Sequence, residues 1–168
     1  MNLKQYIRDV ENFPKEGILF RDISPLLANG EALSESIDVI GEFCKDADVI
    51  VGPDARGFIF GTPVAARLKK PFVMVRKPGK LPGKIMSESY DLEYGSNVLE
   101  IQEGMIKPGQ KVVIVDDLMA TGGTTKAIID LLHKVGAEVL RVVVLIELEE
   151  LRGTDKIGNT ELVSILKY

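Results

Sequence analysis

Apolar residues recur along this chain in two rhythms, and the change from one to the other divides it near residue 47. In the first part, Leu3, Tyr6, Ile7 and Val10 fall at i, i+3, i+4 and i+7, which predicts an N-terminal helix. Phe13-Pro14 and Gly17 stop that helix, and Ile18-Leu19-Phe20 is a short extended apolar run. Asp22 to Pro25 reads as a turn in which Pro25 keeps Ser24 out of helical backbone. Leu33, Ile37, Ile40, Gly41 and Cys44 line one face of a second helix, predicted over residues 30–45.

Beyond residue 47, strands and helices alternate. Asp48-Val49-Ile50-Val51 is a buried strand ending at Gly52-Pro53. A helix follows over residues 57–70, with Ile59, Phe60, Val64, Ala65 and Leu68 inward and Pro63 to be accommodated. Phe72-Val73-Met74-Val75 and Val112-Val113-Ile114-Val115 are two more apolar strands, the latter leading to a helix over residues 123–135. Residues 138–146, rich in valine, form a fourth. Near-continuous apolar strands separated by helices indicate a parallel sheet covered on both faces. The fold class is therefore α/β, a doubly wound parallel sheet flanked by helices.

One interval departs from this rhythm. Between Lys77 and Gly109 come Pro78, Gly79, Pro82, Gly83, Gly95 and Pro108. Inside it, residues 90–94 and 97–102 alternate loosely on either side of Gly95-Ser96, which predicts a two-stranded antiparallel excursion.

Composition narrows the function. At 168 residues the chain has the length of one domain, and it is read as a single domain over 1–168. Its formal charge of −4 argues against sequence-independent nucleic-acid binding, which needs a cationic face. Cys44 is the one cysteine and His133 the one histidine, so neither an internal disulfide nor a Cys/His zinc cluster can form. No apolar stretch has the length of a membrane span, and residues 1–16 do not resemble a signal or transit peptide. A cytoplasmic protein with no nucleic-acid or membrane partner is expected.

The segment from Val112 to Thr125 carries the strongest chemistry. A buried strand ends in two consecutive carboxylates, Asp116 and Asp117, and a small-residue loop follows before a helix. In open α/β sheets, ligands bind at the carboxyl ends of strands. Ala120, Thr121, Gly122, Gly123 and Thr124 would present backbone N–H groups and hydroxyls at a helix N-terminus, an anion site. Carboxylates beside a phosphate nest suit a ribose 5-phosphate. A capped turn with two solvated acids is the plainer alternative, and the ordered succession of strand, acids, nest and helix argues against it. Gly79 to Lys84 is no Walker A loop: its glycines are one residue too close and Ile85 stands where a hydroxyl would hold magnesium. Gly52 to Gly57 is a tight turn aiming Arg56 at an anion, or else an ordinary connection with a surface arginine.

Val112 to Thr125, and Asp117-Leu-Met-Ala-Thr-Gly-Gly-Thr124 within it, resembles the phosphoribosyl pyrophosphate signature of the type I phosphoribosyltransferases. Phe13-Pro14, Gly17 and Phe20 to Pro25 resemble the N-terminal purine-binding segment of the adenine-using branch of that family. Tyr90-Asp-Leu-Glu-Tyr-Gly95 is similar to its mobile active-site loop. With Arg56-Gly57-Phe58 and residues 76–83, the resemblance spans most of the chain.

That resemblance implies purine salvage: adenine plus phosphoribosyl pyrophosphate giving AMP and pyrophosphate. It implies an N-terminal purine-binding hood over 1–46 and a core over 47–168 with a mobile loop at about 80–102. Magnesium is implied as a cofactor carried by the substrate pyrophosphate, with no dedicated ligand cage, and a homodimer as the assembly. The pyrophosphate loop carries Arg56, with a strained or cis peptide at Asp54-Ala55. Arg76, Lys77 and Lys80 would contact pyrophosphate, reaching from one subunit toward the other's site, although a basic run of this kind is otherwise a solvated face. Phe20, which composition alone would leave in the core, becomes one face of an adenine sandwich with Leu118 as the other, and backbone groups near Leu19 and Arg21 read the adenine edge. Glu93, otherwise a surface acid, handles the purine ring proton while Tyr94 closes the site. Glu100, outside the matched motif, is the natural control for Glu93. His133 and Cys44 are left structural. A transferase for 6-oxopurines such as xanthine, or a non-catalytic sensor of phosphoribosyl pyrophosphate, would share the phosphate motif. The first differs at the base pocket, and the second needs a basic DNA-binding region.

Overall fold

The computed structural model describes residues 1–91 and 94–168. The expected N-terminal helix is replaced by a 3-10 turn, Leu3–Tyr6, and a short strand β1 (Arg8–Val10) antiparallel to β2 (Phe20–Asp22). Arg8 faces Asp22 and Asp9 faces Arg21 across the ribbon, and each pair closes at 2.6 Å. Pro25 does not keep Ser24 out of a helix: one turn, α1 (Ser24–Leu27), begins there, because a first-turn proline loses no hydrogen bond. The Ser24 N–H donates to Asp22 Oδ1 at 2.9 Å. α2 (Gly30–Glu42) follows, its first turn capped by Asn29 Oδ1, which accepts from Ala32 N–H at 3.0 Å.

The core then alternates as expected: β3 (Val49–Pro53), α3 (Arg56–Leu68) and β4 (Phe72–Val75), and, after a hairpin, β7 (Lys111–Met119), α4 (Gly123–Lys134) and β8 (Glu138–Glu147). The hairpin is the antiparallel pair β5 (Ile85–Asp91) and β6 (Ser96–Gln102). A further strand, β9 (Glu161–Lys167), completes the sheet. No element is predicted here, although Leu162-Val163-Ser164-Ile165-Leu166 is an apolar run; the strand lies at the sheet edge with its inner positions only half-buried.

The sheet has the order β4-β3-β7-β8-β9, every neighbouring pair parallel. Alternate side chains serve opposite faces. Val49, Val51, Val112, Ile114, Val142 and Val144 pack with Ile128, Leu131 and Leu132 of α4 and with Leu99 and Ile101 of the hairpin. Ile50, Val113, Val115, Val143 and Leu145 pack with Ile37 and Ile40 of α2 and Phe60 and Val64 of α3. Burial on both faces is why these strands read as unbroken apolar runs. From β3 the chain winds to β4 on one side, and its later strands lie on the other. The topological switch point is thus between β3 and β7, where a crevice opens at the carboxyl ends.

Candidate functional site

β7 does not end before the acids. Pairing with β8 continues through Asp116↔Val144 and Leu118↔Ile146 to Met119↔Glu147, so both carboxylates belong to the strand itself. Asp117 is buried and Asp116 partly so, and Asp116 Oδ1 accepts the Asp117 N–H at 2.8 Å. Burial, reinforced by the adjacent Asp117 carboxylate, pushes the Asp116 carboxyl well above the ordinary carboxylate range. A Cβ at Gly57 would stand 3.0 Å from Asp116 Oδ1. The missing side chain therefore lets the first turn of α3, with its partial positive charge, press against the acid.

Beyond Met119, Ala120 to Gly122 turn into α4, whose N-cap Gly122 has φ +87° and no side-chain cap. Its first N–H groups therefore have no intrahelical or side-chain partner, and the residues that carry them line a cavity. The loop is held from behind, where a Cβ on Gly122 would collide with the Gly153 carbonyl. Thr124 Oγ1 lies 3.3 Å from the Tyr90 hydroxyl, which ties the hairpin to this helix start.

The other wall is the turn from β3 into α3. The Asp54–Ala55 peptide is cis, as the resemblance implies. Asp54 Oδ2 pairs with Arg76 Nε at 3.1 Å, and Arg56 Nε with Asp117 Oδ2 at 2.9 Å. Between the walls lies a polar cavity of about 350 Å³, lined by Pro53 to Arg56, Asp116 to Leu118 and Ala120 to Thr125. The structure thus brings Arg56, both acids and the whole predicted nest into one place.

A second cavity, about 510 Å³ and more apolar, adjoins it and shares Arg56. Phe20, Phe13, Val10, Ile23, Leu27 and Ile59 line it, with Arg8 and Asp22 at its margin. Phe13 meets Phe20 edge-on, ring centroids 5.1 Å apart, and the Arg56 guanidinium lies 5.6 Å from the Phe20 centroid. Hydrogen bonds from Ser24, aided by Arg8, hold the Asp22 carboxyl below its usual range. Leu118 lines the polar cavity and not this one. Val10, Leu27 and Ile59 carry no motif that marks them as pocket residues, since each reads as an inward apolar position.

Other predicted residues stand apart. Leu19 is exposed, and the Arg21 side chain turns to Asp9. Lys77, Lys80 and Tyr94 are exposed and line neither cavity. Glu93 lies outside the described residues. Glu100 is not a solvent-facing control: it is 7% exposed, accepts the Gly79 N–H on Oε1 at 3.1 Å, and exchanges backbone hydrogen bonds with Arg76. His133 is exposed on α4, while burial pushes the Cys44 thiol up to about 12. Among the described residues no three His, Cys, Asp or Glu side chains gather to hold a metal, and no helix is long and apolar enough to cross a membrane.

Residues 23–167 match the phosphoribosyl transferase domain family. The adenine phosphoribosyltransferase of Mycoplasmopsis agalactiae is 64% identical over 170 residues, covering 100% of both chains. Among solved structures, the adenine phosphoribosyltransferase of Thermoanaerobacter pseudethanolicus superposes with a TM-score of 0.94 at 44% identity, covering 99% of this chain and 98% of its own. That of Saccharomyces cerevisiae, complexed with an imino-altritol bisphosphate and adenine, gives 0.93 at 39% identity, covering 98% and 96%.

Proposed function

The chain belongs to the type I phosphoribosyltransferase family, in its adenine-using branch, and we propose that its two adjoining cavities hold the two substrates of that activity. The reaction is adenine phosphoribosyl transfer in purine salvage: adenine and phosphoribosyl pyrophosphate give AMP and pyrophosphate. The observation that carries the site assignment is the pairing of a polar cavity, containing two carboxylates and an uncapped helix start, with an apolar one that shares Arg56.

In this reading the 5-phosphate sits on the N–H groups and hydroxyls of Ala120 to Thr124, and Asp116 and Asp117 accept from the ribose hydroxyls. The C1–O bond breaks, its electron pair leaves with pyrophosphate, and N9 of adenine bonds to C1. Charge on the ribose ring is transient and cationic, so positioning and electrostatics dominate, and the two carboxylates lie where they favour it. Arg56 supports the departing pyrophosphate, and so does Arg76 beside Asp54. Hard carboxylate and phosphate oxygens suit magnesium, but the acids that line the cavity, Asp54, Asp116 and Asp117, do not gather into a metal-holding group, so the ion would travel with the substrate phosphates. When bound, it neutralises pyrophosphate charge.

Adenine occupies the apolar cavity against Phe20 and reaches the boundary where Leu118 stands, with backbone groups near Leu19 and Arg21 reading its edge. An acceptor for the 6-amino group disfavours a 6-oxo group. Glu93 takes the purine proton, and closure of the end of the 80–102 segment that carries Tyr94, while Leu99 and Ile101 stay in the core, keeps water from the cation. Lys77 and Lys80 line neither cavity of their own chain, which supports a homodimer in which this loop serves the second copy. Both substrates are charged or polar metabolites of the cytoplasm, where the activity belongs.

The test is incubation with phosphoribosyl pyrophosphate, magnesium and, separately, adenine, hypoxanthine and xanthine. Formation of AMP and pyrophosphate with adenine alone is expected. Faster turnover of a 6-oxopurine overturns the base-pocket assignment, and magnesium-independent turnover overturns the cofactor.

A further inference from the structure

The ribbon β1–β2 supplies Phe20 to the apolar cavity, yet it is a separate two-stranded sheet of three residue pairs, not hydrogen-bonded to the parallel sheet. A ribbon so short does not hold its own position in water. Leu3 and Ile23 anchor it by burial at its two ends. Between those anchors, Lys4 and Arg21 meet the edge of the sheet at Lys167 and Tyr168.

Tyr168 follows β9 directly and is fixed by backbone: its N–H donates to the Glu147 carbonyl and its own carbonyl accepts from Glu149 N–H, both at 2.9 Å. Two cations from the hood cover its ring. The Arg21 guanidinium carbon lies 4.2 Å from the ring centroid and Lys4 Nζ 4.4 Å. Lys4 Nζ also donates to the Lys167 carbonyl at 2.8 Å. Arg21 is held on its other side by Asp9, at 2.6 Å, and its side chain is only 18% exposed. It stands between Phe20 and Asp22, both of which line the cavity.

We propose that Tyr168 is a positioning residue for adenine: its ring, gripped by Arg21 and Lys4, sets where β2 presents Phe20 to the base. The role rests on the assignment of the apolar cavity to adenine. Tyr168 touches neither cavity, so it acts through Arg21. A guanidinium over an aromatic face, screened from water, is held strongly enough to bias where a three-residue strand sits.

The experiment measures KM for adenine and for phosphoribosyl pyrophosphate, kcat and melting temperature in four variants. Tyr168→Leu keeps apolar bulk but removes the π face, and Tyr168→Phe keeps the ring. Tyr168→Leu is expected to raise the adenine KM about 5-fold and to leave the phosphoribosyl pyrophosphate KM and kcat within about two-fold. Tyr168→Phe should match wild type. An unchanged adenine KM in Tyr168→Leu, an equal rise in both KM values, or failure of Tyr168→Phe to match wild type overturns the proposal. Should Tyr168→Leu not fold, Tyr168→Met, which also removes the ring but fills the space more adaptably, carries the same expectation and the same ways to fail. Phe20→Ala, measured alongside, separates the two readings. If it leaves the adenine KM unchanged, the cavity assignment falls and the positioning role with it. If it raises that KM while Tyr168→Leu does not, the positioning role alone falls.

Discussion

Arg56 Nε lies 2.9 Å from Asp117 Oδ2, and the same guanidinium faces the Phe20 ring on the far side of the boundary between the two cavities. One side chain therefore borders both cavities and neutralises a buried carboxylate between them. Arg56→Gln should lower kcat/KM for adenine and for phosphoribosyl pyrophosphate together, each by about 10- to 100-fold, the range expected for loss of charge-assisted hydrogen bonds. Steady-state kinetics with each substrate varied will check this. A loss confined to one substrate contradicts the shared position.

Asp116→Asn should trade activity for stability. The unfolded chain ionises Asp116 near the ordinary value of about 3.9, whereas burial and Asp117 keep the native carboxyl protonated to higher pH. Stability from this group is complete below the unfolded value and is lost as pH rises through the raised native one. Asparagine does not ionise, so the variant should melt above wild type by a margin that widens as pH climbs from about 4 through the raised native value. Turnover should fall about 10- to 100-fold, because asparagine offers one acceptor oxygen where the carboxyl has two and cannot take a negative charge beside the cationic ring. Melting scans across that range, with parallel assays, test both halves, and a margin that narrows with rising pH rejects the assignment.

The core was legible because parallel strands buried on both faces leave unbroken apolar runs, and Phe72–Val75 is bounded as its sequence suggests. The acid pair and nest were legible because chain order alone carries them to the end of β7. The hood was not. Its apolar spacing fits a helix, but the cross-strand partners Arg8–Asp22 and Asp9–Arg21 lie 14 and 12 positions apart, and helical periodicity does not register such pairs. The pocket residues Val10, Leu27 and Ile59 escaped for a related reason, since an apolar wall of a cavity and an apolar wall of a core have the same composition. Glu100 shows the converse. An acid in an alternating strand looks solvated, yet this one is buried to hold the Gly79 N–H.

Glu93→Gln should reduce kcat on the order of 10²-fold with little change in either KM, because glutamine keeps the size but cannot take the purine proton. Glu100 is unsuitable as the control, since its loss would disturb the Arg76 to Gly79 segment. Glu103, exposed beyond β6, serves instead, and Glu103→Gln should behave as wild type. Single-turnover measurement is decisive, since slow product release cannot mask chemistry there. Wild-type rates in Glu93→Gln end its role as the base.

The last expectation concerns a residue far from the motif in sequence. Gly153 opens a 3-10 turn, Gly153–Lys156, that lies directly behind the anion loop. A Cβ added there would stand 2.5 Å from the Ala120 carbonyl oxygen and 2.7 Å from Met119 Sδ. Gly122, at φ +87°, meets the same turn from the other side, so the two glycines let two backbone segments touch. Gly153 itself needs no left-handed backbone, so alanine is tolerated conformationally and the added methyl acts by displacement alone. The loop must move, since its near atom is a main-chain oxygen, and Met119 is buried and has little room to yield. Overpacking of this kind costs about 1–3 kcal/mol of stability. The functional consequence should be selective: Gly153→Ala displaces the N–H groups of Ala120 to Gly123 and leaves the Phe20 cavity intact. KM for phosphoribosyl pyrophosphate should rise about 10-fold, as expected when a preorganised anion site is shifted by a fraction of an ångström, with the adenine KM near wild type. Equal rises in both KM values would mean that the turn supports the whole fold, and no rise would mean that the loop accommodates the methyl without moving its donors.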